Sequence, residues 1–175
     1  MPNFVILKEL FRMKYSFKTL VLILLISLQA SAQEIAKTIP DFTFYTLRGD
    51  SFSNKDLTNG KILFFVFFDS DCDHCQHAVA AINKNQKEFK NVAVYLISLD
   101  DQQKINRFMN SYGPALIAGK NVTILQDVKN DFLPKFKPRK YPSMFLFAKD
   151  GKLIVYEDNP ENVFRIVKQI QTFNK

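Results

Sequence analysis

The stretch from Ile62 to Cys75, ILFFVFFDSDCDHC, constrains the fold more than any other part of the chain. The unbroken apolar run Ile62 to Phe68 predicts a strand buried on both faces, although periodicity alone leaves a buried helix open. Asp69, Ser70 and Asp71 then break the run, and a helical segment is predicted from about Cys72. A Cys-x-x-Cys pair therefore sits where a buried strand hands over to a helix. Free N–H groups and the positive end of the helix dipole favour an anion at that point. A thiolate at a helix start is a usable nucleophile. The spacing places the second sulfur one turn later, within reach of a disulfide.

At 175 residues the chain has room for one domain and a short N-terminal appendage. Lys14 and Lys18 precede an apolar run from Leu20 to Leu28, and Ala30-Ser31-Ala32 supplies the small residues of a cleavage site. These are the three parts of a secretory signal peptide. The run falls short of the ~20 apolar residues of an ordinary membrane span. The expected organisation is a signal peptide over 1–32, a loose leader over 33–40 and a domain over 41–175. An uncleaved N-terminal membrane anchor is the alternative. Met13 is an alternative start, because MKYSFK would open a compact signal. The expected location after export is the periplasm, with no stable membrane span left after cleavage.

Residues 1–32 hold Lys8, Arg12, Lys14 and Lys18 against Glu9, so their removal takes the net charge from +7 to +4. The remaining excess is spread along the sequence. Its densest part, Lys135 to Lys140, reads as a solvated loop, and nothing else supports nucleic acid binding.

Export also bears on the cysteines, because disulfides persist outside the cytoplasm. Cys72 and Cys75 are the only two, so they pair with each other or with a partner protein. A structural disulfide here would close a very small loop and remove little entropy from the unfolded chain. Redox chemistry is the better reading of this spacing at a helix start.

Along the rest of the chain, short strands are predicted at 41–47 and 51–52, with Ser53 capping a helical turn through Leu57. A helix continues from the Cys pair until Asn91 ends it, with Cys75, Val79, Ile82 and Phe89 on one face and Ala78 beside them. Val92 to Leu99 reads as a second interior strand. Asp100 and Asp101 cap a helix through Tyr112, closed by Gly113-Pro114. A strand at 121–126, a helical turn at 130–136 and a hairpin of 143–147 with 153–157 follow. Asn159-Pro160 opens a last helix with Val163, Ile166, Val167 and Ile170 inward. Strands alternating with helices and ending in a hairpin predict an α/β domain with a central mixed sheet covered on both sides.

Tyr141-Pro142-Ser143-Met144-Phe145-Leu146-Phe147 is a second landmark. A proline at the first position of an interior strand costs no ladder bond. The opening PDFTFYTLRGDSFSNKDLTNGK, the pair CDHC and the segment YPSMFLF together resemble the TlpA/ResA-like, AhpC/TSA-related branch of the thioredoxin superfamily. That resemblance implies a thioredoxin-like fold and a thiol–disulfide oxidoreductase. It implies a cis peptide before Pro142, facing the Cys pair, with a backbone edge at Tyr141 for an extended substrate chain. Cys72 is then the exposed nucleophile and Cys75 the buried resolving thiol, cycling through a Cys72–Cys75 disulfide.

His74 occupies a position that is His in DsbA-like oxidants and Pro in many reductants. It is expected to stabilise the Cys72 thiolate and tune the pair toward oxidation. Asp69, Asp71 and Asp73 oppose this as like charges, unless they cap the helix. The sequence departs from its relatives at Asp71, where a tryptophan is usual. It also departs at Val66 and Ala78, where relatives carry an acid that shuttles protons for the buried thiol. No cofactor is expected. The expected partners are protein thiols or disulfides and a separate redox protein.

A rival reading uses Cys72, His74, Cys75 and His77 to bind or deliver zinc or copper. Helical geometry points His77 about 160° away from Cys75, which leaves such a site short of ligands. A thiol peroxidase is disfavoured because Phe65 and Asp69 stand where that family carries Pro and Thr.

Overall fold

A computed structural model describes residues 34–173; the expected signal peptide and the alternative start at Met13 lie outside them. The elements in chain order are β1 (Thr43–Thr46), β2 (Ser51–Ser53), β3 (Ile62–Phe68), α1 (Asp73–Lys84), β4 (Val92–Ser98) and α2 (Gln102–Tyr112). There follow α3 (Pro114–Ile117), β5 (Val122–Gln126), α4 (Phe132–Phe136), β6 (Ser143–Phe147), β7 (Leu153–Glu157) and α5 (Val163–Phe173). The strands form one sheet in the order β2-β1-β5-β4-β3-β6-β7. β3 runs parallel to β4, and β4 parallel to β5, while β6 lies antiparallel to β3. The predicted α/β class with a mixed central sheet is the observed one.

β3 is central because every one of its residues is buried. Side chains alternate across a strand, so its run divides between two cores. Ile62, Phe64, Val66 and Phe68 join one cluster with Cys75, Val79, Ile82, Phe108 and Ile166. Leu63, Phe65 and Phe67 join a second with Phe44, Phe132, Phe136, Phe145 and Phe147. Helices α1, α2 and α5 cover the first face. Among the described residues the second is covered by only one five-residue helix, α4, and aromatic rings fill the rest. Phe67 stacks on Phe132 with centroids 4.1 Å apart, and Phe132 on Phe136 at the same distance. This packing accounts for the abundance of phenylalanine in the composition.

Three local differences from the sequence reading have physical causes. α1 stops at Lys84, because Asn85 turns its side-chain amide back onto the Ala81 carbonyl at 2.8 Å; a 3₁₀ turn, Gln86–Phe89, completes the segment. Pro114 does not simply end α2: it opens the short α3, a position where its missing N–H is no loss. Residues 35–40 are tied down rather than loose. Ala36 N–H donates to the Phe136 carbonyl at 3.0 Å and Ile39 N–H to Gly151 at 3.1 Å, with a bridge between Thr38 and Lys152.

Candidate active site

The parallel strands all point their C-terminal ends the same way, and β3 ends there at Phe68. The chain turns through Asp69, Ser70 and Asp71 and enters α1 at Asp73. Cys72 is the capping residue of that helix. It is extended, and its carbonyl accepts from the N–H groups of Cys75 at 2.9 Å and Gln76 at 3.1 Å. Its side chain makes no cap hydrogen bond, so the half-buried sulfur stands at the helix mouth. The alternative in which an aspartate caps α1 is not realised: Cys72 holds that position, and Asp73 is the first helical residue.

Cys75 lies on the buried side of α1 with Ala78, Val79 and Ile82. Both cysteines are free thiols in this structure. Burial pushes the Cys75 thiol well up, opposed by the Asp69 N–H, which donates to its sulfur at 3.5 Å. The Cys72 sulfur and the charge of Asp69 push in the same direction as burial. The two sulfurs therefore interact while differing in access: one is at the surface and the other is sealed behind it.

The turn between strand and helix is held by acids. Asp69 accepts from the Asp71 N–H through Oδ1 at 2.8 Å. Asp100 accepts from the Ser70 N–H at 2.8 Å and from the Ser98 hydroxyl at 3.0 Å. Burial would raise the Asp100 carboxyl, but these bonds and the nearby Lys104 charge hold it below its ordinary value. Lys104 bonds Asp71 at 2.7 Å; with the Asp71 side chain 76% exposed, this pair positions more than it stabilises. Beside the turn lies a cavity of about 180 Å³, lined in part by Ser70, Gln76, Lys104, Arg107 and Tyr112.

The sequence reading took Asp100 and Asp101 together as helix caps. Only Asp101 caps α2, accepting from the Lys104 N–H, while Asp100 anchors the cysteine turn thirty residues away. Asp127 was also missed. It is 1% exposed and accepts from the Asp131 and Phe132 N–H groups at 2.9 and 2.7 Å, fixing the start of α4. Nothing local in the sequence marks either role.

The peptide between Tyr141 and Pro142 is cis. Ser143 pairs with Phe67 in the ladder, so Pro142 comes beside Phe68 at the same end of the sheet as the cysteines. Tyr141 stacks on Phe67 at 4.9 Å and packs against both core clusters, including the one that holds Cys75. Burial first, then the charges of Asp69 and Cys75, push its phenol up to about 12. The bend before β6 is fixed by the Ser143 hydroxyl, which donates to the Lys140 carbonyl at 2.6 Å, and by the Arg139 N–H, which donates to the Tyr156 oxygen at 3.0 Å.

His74 and His77 are both exposed, whereas Cys75 is buried, so the imidazoles do not converge with the second sulfur. Among the described residues no group of three or more His, Cys, Asp or Glu side chains could hold a metal ion. The zinc or copper reading therefore lacks a ligand set here. Also among the described residues, no helix is long and apolar enough to cross a membrane.

Comparison with known proteins places these features. The AhpC/TSA family profile matches residues 35–156, from the tied-down leader to the last strand. The thiol–disulfide oxidoreductase ResA of Bacillus anthracis is 27% identical over 143 residues, which is 78% of this chain and 79% of that protein. A solved thiol–disulfide oxidoreductase from Bacteroides fragilis superposes with a TM-score of 0.61 at 20% identity, over 77% of this chain and 99% of the other. A partial match of another kind is the small ribosomal subunit protein eS4 of Saccharolobus islandicus. It is 39% identical over 85 residues, 47% of this chain and 35% of that protein. With less than half of either chain covered, it carries no reading for this one.

Proposed function

Because the chain belongs to the AhpC/TSA family, we propose that it is an exported thiol–disulfide oxidoreductase exchanging disulfides with partner proteins through Cys72 and Cys75. The observation that carries this reading is the division of the two sulfurs: Cys72 half-buried at a helix mouth, Cys75 fully buried behind it. The Cys72 thiolate attacks a partner disulfide, and one partner sulfur leaves as thiolate. Cys75 then attacks Cys72, the mixed disulfide breaks, and the second partner sulfur leaves. The partner disulfide is reduced by two electrons and the Cys pair is oxidised; the reverse order oxidises a partner dithiol. Holding Cys75 beside the mixed disulfide makes the second step intramolecular and fast.

The other assignments belong to the same proposal. Tyr141 and Pro142 offer the backbone edge along which a substrate chain lies. His74, exposed two residues after Cys72, tunes the potential of the pair. The basic and apolar N-terminal segment with its small-residue site supports export to the periplasm. With no other cysteine, the chain relies on a separate redox protein to reset it.

The test is a trap. Cys75→Ser should accumulate a mixed disulfide with a model disulfide protein, seen by intact mass, and Cys72→Ser should form none. If neither variant differs from wild type, or if the wild-type thiols prove inert, the reading fails. Measuring the Cys72–Cys75 potential then assigns direction: a value near ~−120 mV marks an oxidant and one near ~−270 mV a reductant.

A further inference from the structure

The cavity of about 180 Å³ beside the cysteine turn has no part in the exchange chemistry, yet its walls are chemically biased. Asp71, which lines it, directly precedes Cys72. An extended chain whose sulfur meets Cys72 therefore brings a residue about one or two positions away to this opening. Lys104, Arg107 and Ser111 line it from one face of α2 at helical spacing, and Gln76 lines it from α1. Phe108 also lines it and is held by stacking on Phe68 at 4.7 Å, with Tyr112 tilted against Phe108 at 5.1 Å. The two cations differ. Lys104 bonds Asp71 at 2.7 Å and lies 4.0 Å from Asp100. Arg107 is exposed and has no ion pair among the described residues. Ser70 is a second anomaly. Its hydroxyl is near enough to Asp100 to help hold that carboxyl down. Among the described residues, however, it is the one buried side-chain oxygen or nitrogen with no partner in hydrogen-bond geometry. The nearby acids are already engaged: Asp71 by Lys104, and Asp100 by the Ser70 N–H and the Ser98 hydroxyl. A free guanidinium and an unmet hydroxyl on one cavity suit an incoming carboxylate.

Resting on the function proposed above, we infer that this cavity is a subsite for an acidic side chain of the substrate protein, close in sequence to the cysteine that Cys72 attacks, and that Arg107 selects it. The guanidinium fork matches a carboxylate through two parallel N–H···O bonds, a geometry that an ammonium does not reproduce. The Ser70 hydroxyl supplies a further donor, and the Phe108 and Tyr112 rings pack the methylene stem. Asp71 and Asp73 are exposed beside Cys72 and repel acidic chains in general. The subsite therefore favours an acid at one position only, which makes it a sorter of substrates rather than a general anchor.

The test uses the reduced protein and short peptides whose single cysteine is joined to 2-nitro-5-thiobenzoate. The Cys72 thiolate attacks the peptide sulfur, the Cys72–peptide bond forms, and the peptide–aryl bond breaks. The coloured arylthiolate leaves with the electron pair, so stopped flow reads the second-order rate of this step. Intact mass of the Cys75→Ser adduct checks that the peptide is the group retained. The series carries Glu, Gln or Lys one or two positions before or after the cysteine. At one of these positions wild type should favour Glu over Gln by about tenfold, the order expected of one charge-assisted contact. Arg107→Gln should bring that ratio to about one, Arg107→Lys should keep part of it, and Arg107→Glu should favour the Lys peptide. Arg107 is exposed, so these replacements spare the core. Lys149→Gln removes the same charge beyond the far end of β6 and should leave the ratio as in wild type. A wild-type ratio near one at every position overturns the inference while leaving the exchange reading standing. A ratio that survives Arg107→Gln, or that falls equally in Lys149→Gln, overturns it too, because the preference would then lie elsewhere or in net charge. If no peptide releases arylthiolate, the thiol–disulfide reading itself fails and the subsite goes with it.

Discussion

Replacing Asp100 by alanine asks whether one carboxylate holds the cysteine turn. The side chain is 19% exposed and receives two donors, the Ser70 N–H and the hydroxyl of the fully buried Ser98. Alanine strands both where little water can enter. A buried donor left unpaired costs about 1–3 kcal/mol. The Ser98 hydroxyl can rotate and some water reaches the vacated space, so the total should be about 2–4 kcal/mol. For a domain of this size that lowers the thermal midpoint by roughly 6–12 °C. Urea unfolding at pH 7 measures it directly as a shift in midpoint at unchanged slope. The pH dependence has a definite sign. The folded carboxyl titrates below its unfolded value of 3.8, so its contribution is present above that value and is lost as pH falls through the lower folded one. The stability gap between wild type and Asp100→Asn should therefore be constant from neutral pH down to about pH 4 and close below it. A loss under about 0.5 kcal/mol for the alanine variant, the range of ordinary surface changes, would refute the anchoring argument.

Two further outcomes follow from the buried polar groups. Asp127→Ala strands the Asp131 and Phe132 N–H groups and should cost about 2–4 kcal/mol in urea unfolding. Burial outweighs those two bonds and raises the Asp127 carboxyl, so its pH contribution has the opposite sign to that of Asp100: fully present below 3.8 and lost as pH rises through the folded value. The Tyr141 phenol, raised from 10.0 to about 12, contributes stability that is lost as pH climbs through that interval. Tyr141→Phe should flatten the alkaline stability profile there and remove a late step from the ultraviolet titration of the tyrosines.

Much of the fold was legible because its signals are local. Ile62–Phe68 and Ser143–Phe147 were bounded correctly, since a continuous apolar run and a proline followed by a turn need no distant information. The cysteine pair was legible for the same reason: strand, acids, cysteine and helix follow one another in sequence. What fixes the pair was not legible. Asp100 next to Asp101 looks like a doubled helix cap, and only the parallel pairing of β3 with β4 brings it under Ser70. Asp127 follows an unremarkable short strand, and its burial depends on α4 folding back over it. The α1 end was misplaced because Asn85 competes with the backbone for a carbonyl, a choice that propensity leaves nearly balanced.

The division of labour between the sulfurs comes from register rather than from any special neighbour. Cys72 is the cap and Cys75 the third residue of α1, so the second sulfur falls on the face that also carries Ala78, Val79 and Ile82. That face is pressed onto Phe64, Val66 and Phe68 of a strand whose other side is locked by aromatic stacking. One more residue between the cysteines would turn the second by about 100°, and the sulfur would leave the core for the surface. Both thiols would then be open to solvent, and the second step of the proposed exchange would lose its held geometry. Spacing, helix start and strand burial thus act together: the strand fixes where the helix begins, and the helix start fixes which sulfur lies near the surface and which is sealed behind it.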